Sequence, residues 1–127
     1  MKLAYVDTSL LLAIVFDEPG SRAPASRLRT FERVHSSNLL EAEFRSALAR
    51  EKMPAGPERI LSSINWIFPG RPLTSEFNRI LAEGHLRGAD LWHLACALFV
   101  APDVRELSFL TTDPLQKEVA RKLGFTV

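Results

Sequence analysis

The sequence predicts an α/β fold, a small parallel sheet flanked by helices on both faces. Two observations carry that expectation. Two largely apolar segments of strand length, Lys2 to Val6 and Leu107 to Thr111, are each followed by a polar turn and a helical pattern. Strand-like and helix-like segments also alternate along the chain, the order in which crossover helices join parallel strands. A length of 127 residues suits one domain, residues 1–127, with one core.

The elements follow in order. Lys2 to Val6 reads as a first strand, and Leu10 to Phe16 as a helix stopped by Pro19-Gly20. Ser21 to Phe31 is a short basic helix that must accommodate Pro24. Arg33 to Ser36 is a second strand, after which Ser36-Ser37-Asn38 offers N-cap residues for a helix running to about Lys52. Pro54-Ala55-Gly56-Pro57 ends that helix. Ile60, Leu61, Ile64, Ile67 and Phe68 recur at helical spacing, so Glu58 to Phe68 is expected to be a fourth helix. Pro69-Gly70-Arg71-Pro72 makes a sharp turn. Ser75 to His85 and Ala89 to Val100 are two helices separated at Gly88. Leu107 to Thr111 is a third strand, Pro114 to Leu123 a helix stopped by Gly124, and Phe125 to Val127 a last short strand.

Composition excludes several classes. Hydrophobic residues make up 46% and charged residues 24%, ordinary for a globular domain. The longest apolar run is too short to span a bilayer, so no membrane association is expected. No small-residue cleavage site follows it, which argues against a signal peptide. The one cysteine, Cys96, permits neither a disulfide nor a thiolate metal site within the chain, and a reducing cytoplasm is the expected compartment. A net charge of +1 gives no global signature for nucleic acid, so any RNA contact must use local arginines.

Four acids stand out. Asp7 ends the first strand and Asp113 follows Leu110-Thr111-Thr112; both lie at the carboxyl end of a strand, the edge where open α/β sheets bind ligands. Asp90 opens a helix after Arg87-Gly88-Ala89, with His93 one turn on. Glu43 has Leu39, Leu40 and Ala47 as its helical neighbours, so it projects from an apolar stripe, where a carboxylate must be paired or bound to a cation. Arg50 is the basic residue available on that face. Glu41, by contrast, is explained by a surface pair with Arg45 four residues on and by the helix dipole. Each of the four also has a structural reading. Asp7 and Asp90 suit helix starts, and Asp113-Pro114-Leu115-Gln116 is nearly a capping box. Four carboxylates on one sheet edge would form a divalent-metal site.

In sequence order, these residues resemble a known family. Tyr5-Val6-Asp7-Thr8-Ser9, the segment Ser37 to Arg50, the segment Leu86 to Ala97, and Leu110-Thr111-Thr112-Asp113 followed by Ala120 to Phe125 are similar to the four motifs of PIN domains, specifically the VapC-type toxins of type II toxin–antitoxin modules. The second motif places its acid four residues before an Ala-Leu and seven before an Arg, which selects Glu43 over Glu41. Trp92 departs from the small residue usual in the third motif. The resemblance implies a PIN domain acting as a metal-dependent endoribonuclease, with Asp7, Glu43, Asp90 and Asp113 as catalytic and metal-binding residues. Asp7 and Asp90 would be the main ligands of Mg²⁺ or Mn²⁺. Thr112 would orient Asp113; Arg50, Arg45 and Arg87 would meet phosphate, and His93 would stand behind the ligands. The implied partners are RNA, a VapB-type antitoxin and a second copy of the chain. The apolar side chains Ile60, Ile64, Trp66 and Ile67 must face either the core or a partner.

Other phosphoryl-transfer classes fit poorly. A phosphoaspartate receiver needs paired acids after its first strand and a late lysine, where this chain has Asp113. A haloacid-dehalogenase phosphatase needs an Asp where Ser9 stands, and no Gly-rich phosphate loop is present. The remaining rival is a non-catalytic PIN-like module binding RNA or protein, with the acids as structural caps.

Overall fold

The computed structural model describes residues 2–53 and 57–127. Four strands, β1 (Leu3–Val6), β2 (Arg33–Ser37), β3 (Asn65–Ile67) and β4 (Leu107–Leu110), form one all-parallel sheet in the order β3-β2-β1-β4. Seven helices connect them among the described residues: α1 (Thr8–Val15), α2 (Arg22–Leu28), α3 (Asn38–Arg50), α4 (Pro57–Leu61), α5 (Thr74–Leu81), α6 (Gly88–Val100) and α7 (Pro114–Leu123). The α/β expectation holds. Leu3 pairs with Arg33 on one side and with Leu107 on the other, so β1 is central.

Strand alternation divides the apolar residues between two cores. Tyr5, Leu107 and Phe109 point to one face and pack with Ile80, Leu94 and Val119 of α5, α6 and α7. Ala4, Val6 and Leu110 point to the other and pack with Leu10, Phe44 and Leu61 of α1, α3 and α4. Helix α6 is buried along six consecutive residues, His93 to Leu98. Burial there pushes the Cys96 thiol up to about 12, so it stays protonated and inert. No helix among the described residues is long and apolar enough to cross a membrane.

Helix ends explain where the elements stop. Helix α1 closes before Pro19-Gly20: Asp17 adopts φ 50°, and the N–H groups of Asp17 and Glu18 return to Ile14 and Ala13. Lys52, at φ 51°, does the same for α3, with Lys52 and Met53 bonding Ala49 and Leu48. The stop expected at Pro54-Ala55-Gly56 lies outside the described residues. Gly124, at φ 106°, ends α7 as expected. Pro24 is tolerated in α2 because it occupies the first turn, where its missing N–H would have no helical partner. Ser37 occupies the N-cap position of α3 but makes no side-chain cap bond.

The expected helix over Glu58 to Phe68 is corrected. Helix α4 ends at Leu61, where the Ser62 and Ser63 hydroxyls donate to the carbonyls of Arg59 and Ile60. The chain then extends as β3 beside β2, with His35 opposite Asn65. Ile64 and Ile67 enter opposite cores, and Ile60 and Trp66 pack against the first of these. These four side chains therefore serve the interior rather than a spare surface. The last strand expected at Phe125 to Val127 is reduced to one bridge, between Thr126 and Ser108. Leu73 precedes α5 as a buried N-cap residue.

Strand order also fixes where a ligand can sit. From β1 the chain winds to β2 and β3 on one side, then crosses to β4 on the other. The switch lies between β1 and β4, and ligands of such sheets bind beyond the carboxyl ends of the strands there. Asp7 follows β1 and Asp113 follows β4.

Candidate active site

Asp7, Glu43 and Asp90 line one open cleft of about 400 Å³, together with Thr8, Ser9 and Arg50. They arrive from the end of β1, the middle of α3 and the first turn of α6. Asp113, at the start of α7, lies beside this group without lining the cleft, and its charge is felt at Asp90.

Asp7 is 3% exposed and caps α1. Its Oδ2 accepts from the Ser9 N–H at 3.2 Å and from the Ser9 hydroxyl at 2.7 Å. Thr111 Oγ1 stands 3.3 Å from the same oxygen, but its hydrogen goes to Gln116 Oε1 at 2.7 Å, the shorter contact. Asp7 Oδ1 has no hydrogen-bond donor among the described residues; its nearest cationic-type atom is His93 Nε2, at 3.8 Å.

Glu43 is held through Oε1 alone. Thr8 Oγ1 donates to it at 2.8 Å and His93 Nε2 lies at 2.8 Å. The bond from His93, with that from Thr8, holds its carboxyl below the usual range against the opposing cost of burial. Arg50, the basic residue that could have paired with Glu43, pairs with Glu51 instead and stands in the cleft wall.

Asp113 repeats the pattern: Oδ1 accepts from the N–H groups of Leu115 and Gln116, and Oδ2 makes no bond among the described residues. The capping box is incomplete. Gln116, fully buried, turns inward and donates to the Asp90 carbonyl at 3.2 Å, while Thr111 Oγ1 accepts the Asp113 N–H. The assignment of Thr112 to orient Asp113 is thus corrected to Thr111. Thr112 is exposed and donates its backbone N–H to Ser9 Oγ.

The carboxylate of Asp90 has no hydrogen-bond partner among the described residues. Burial, then the charges of Asp7, Asp113 and Glu43, raise its pKa above the ordinary value, with His93 opposing. Three acids thus tie one oxygen each and leave one untied, and the fourth leaves both. That division is how supporting hydrogen bonds orient carboxylates for a cation. The untied donors are hard oxygens, suited to Mg²⁺ or Mn²⁺. No group of three or more His, Cys, Asp or Glu side chains among the described residues is arranged to hold a metal ion by itself. A cation that keeps several of its waters and takes one or two carboxylates needs no such group.

The family profile of the PIN domain matches residues 4–122. The chain belongs to the PIN domain family. PIN domains are typically nucleases dependent on divalent metals, which assigns this chain to a nuclease class. No curated protein sequence matches the chain.

Within this PIN domain the remaining sequence candidates are spread out. Glu41 pairs with Arg45 at 2.8 Å, as expected, and Arg45 also reaches Glu58 at 2.7 Å, so both of its bonds lie on the surface. Arg87 is an exposed N-cap residue of α6. Sequence reasoning missed Tyr5, Thr8, Ser9, Thr111 and Gln116. Only the burial of a tyrosine and a glutamine in otherwise apolar patterns could have signalled two of them. Because the Glu41 carboxylate is spent on Arg45, a Glu41→Gln variant is expected to cleave nucleic acid as the parent does. A steady-state rate comparison checks this, and a large loss with an active Glu43→Gln would reverse the choice of acid.

Proposed function

We propose that this PIN domain is a Mg²⁺- or Mn²⁺-dependent endoribonuclease that hydrolyses phosphodiester bonds of cellular RNA and acts as the toxin of a VapC-type toxin–antitoxin pair. The observation that carries the nuclease reading is the division of the carboxylate oxygens: one tied and one untied on Asp7, Glu43 and Asp113, both untied on Asp90. A bound divalent ion supplies Lewis acidity and an activated water at neutral pH. Asp7 Oδ1 and Asp90 would hold it, with Glu43 Oε2 and Asp113 Oδ2 contributing directly or through water. Arg50, in the cleft wall, carries the positive charge that a phosphate approaching four acids requires. The toxin role is supported by the motif resemblance. It brings with it a VapB-type antitoxin, a homodimer and a cytoplasmic setting. An inserted antitoxin arginine would suit the acids, since a guanidinium bridges carboxylates and competes with metal.

A second reading has an observation of its own. Asp7 and Asp113 do cap α1 and α7, as a non-catalytic RNA- or protein-binding module would require. Incubation with RNA separates the two. Cleavage is expected with Mg²⁺ or Mn²⁺ and should cease on adding chelator; retention of intact RNA in both conditions would leave only the binding module. For the toxin role, the test is co-purification with a short basic upstream gene product that inhibits cleavage. A monomer indifferent to that product at saturating excess would end it while sparing the nuclease.

A further inference from the structure

A buried chain of hydrogen bonds runs from β2 to the cleft. The Ser37 N–H donates to Tyr5 Oη at 3.1 Å, and Tyr5 Oη lies 2.6 Å from His93 Nδ1. His93 Nε2 in turn lies 2.8 Å from Glu43 Oε1. Tyr5 is fully buried and His93 is 1% exposed. A phenol keeps its proton at neutral pH. With the Ser37 N–H already donating to the phenol oxygen, we assign the phenol hydrogen to Nδ1, its shortest hydrogen-bond contact among the described residues. Nδ1 is then an acceptor, and the ring proton sits on Nε2, facing a carboxylate that can only accept. The Tyr5 ring is clamped by stacking on Phe109, centroids 5.3 Å apart, and meets the imidazole edge-on.

We infer that Tyr5 and His93 are positioning residues that dictate which oxygen Glu43 offers to the cleft. The phenol fixes the imidazole as the Nε2–H tautomer. That hydrogen, with the Thr8 hydroxyl, occupies Oε1 and leaves Oε2 without a hydrogen bond among the described residues. Without the phenol, the ring can hold its proton on Nδ1 and present a lone pair to the carboxylate, which repels it. The same ring keeps Nε2 out of the ligand set, so the site stays all-oxygen. This inference rests on the nuclease reading for its kinetic consequence and on the hydrogen bonds alone for the tautomer.

The test joins nitrogen NMR of the metal-free protein to kinetics. In the parent, His93 should show a protonated Nε2 and an unprotonated Nδ1. Tyr5→Phe, which keeps the ring stack, should give mixed tautomers and a fall in kcat of about 10–100-fold, with KM for RNA little changed. An unaltered tautomer with an unaltered kcat overturns the relay. Should Tyr5→Phe not fold, His93→Gln and His93→Leu replace it. The amide can still donate to Glu43, so Gln should recover much of the activity that Leu loses. Equal loss in both overturns the role of the donor. If the parent shows no metal-dependent cleavage, the function reading falls, and the relay stands or falls on the tautomer.

Discussion

Asp7→Asn is expected to lower metal-dependent RNA cleavage by roughly a thousandfold, the largest effect of any substitution in the cleft. Lewis-acid and nucleophile activation by a bound ion are worth several kcal/mol, and each ~1.4 kcal/mol is a factor of ten in rate. Asparagine preserves the shape and, through its carbonyl, the two bonds from Ser9 that cap α1. It then places an amide where Asp7 Oδ1 stood, a donor in the position of the expected ligand. The loss should therefore be chemical rather than structural. Single-turnover cleavage together with circular dichroism checks both halves. A folded variant with near-parent cleavage would show Asp7 to be only a cap.

Asp90→Asn is expected to stabilise the protein without metal and to remove most of its stabilisation by Mg²⁺. The folded-state pKa of Asp90 is raised by burial and by Asp7, Asp113 and Glu43. A raised carboxyl binds its proton more tightly in the folded than in the unfolded chain. The linked penalty is absent well below the ordinary value of 3.8, grows as pH rises from there through the raised value, and is complete above it. The dipole of α6 favours an acid in this first turn, worth ~0.3–1 kcal/mol at exposed sites. The direction of the shift means that burial and repulsion outweigh it. At neutral pH without metal, the variant should melt no lower than the parent, and a few degrees higher where the full penalty is felt. At pH 3 that advantage should vanish. Added Mg²⁺ should raise the parent's melting temperature but hardly that of the variant, because under the proposed function the ion would bind the folded state through this carboxylate. Melts at the two pH values, with and without Mg²⁺, decide. A clear drop at neutral pH would make Asp90 a structural first-turn acid.

Where the acids stand in the fold was legible because they sit on local signals. Asp7 and Asp113 each follow a short apolar strand and precede a helix, a pattern visible within about ten residues. Glu43 separated from Glu41 by helical register and by the availability of Arg45, and the Glu41–Arg45 pair is present at 2.8 Å. The edge strand β3 was not legible, since Ile64 and Ile67 satisfy helical spacing as well as a three-residue strand. Deciding between them depends on β2 lying alongside, which sequence periodicity does not reveal. His93 could be placed near Asp90, but its partners Tyr5 and Glu43 lie 88 and 50 residues away. Gln116 read as half of a capping box, yet a donor contact to the Asp90 carbonyl took its side chain inward. The fold's crossings, rather than its local propensities, assemble the supporting hydrogen bonds.

The central claim is that the untied carboxylate oxygens form one cation site at the switch between β1 and β4. Anomalous diffraction from crystals soaked in Mn²⁺ tests it most directly. The expected result is a peak within bonding distance of Asp7 Oδ1 and Asp90, with Glu43 Oε2 and Asp113 Oδ2 reached directly or through water. Full Mn²⁺ occupancy elsewhere, with these four acids holding only their cap and surface bonds, would contradict it.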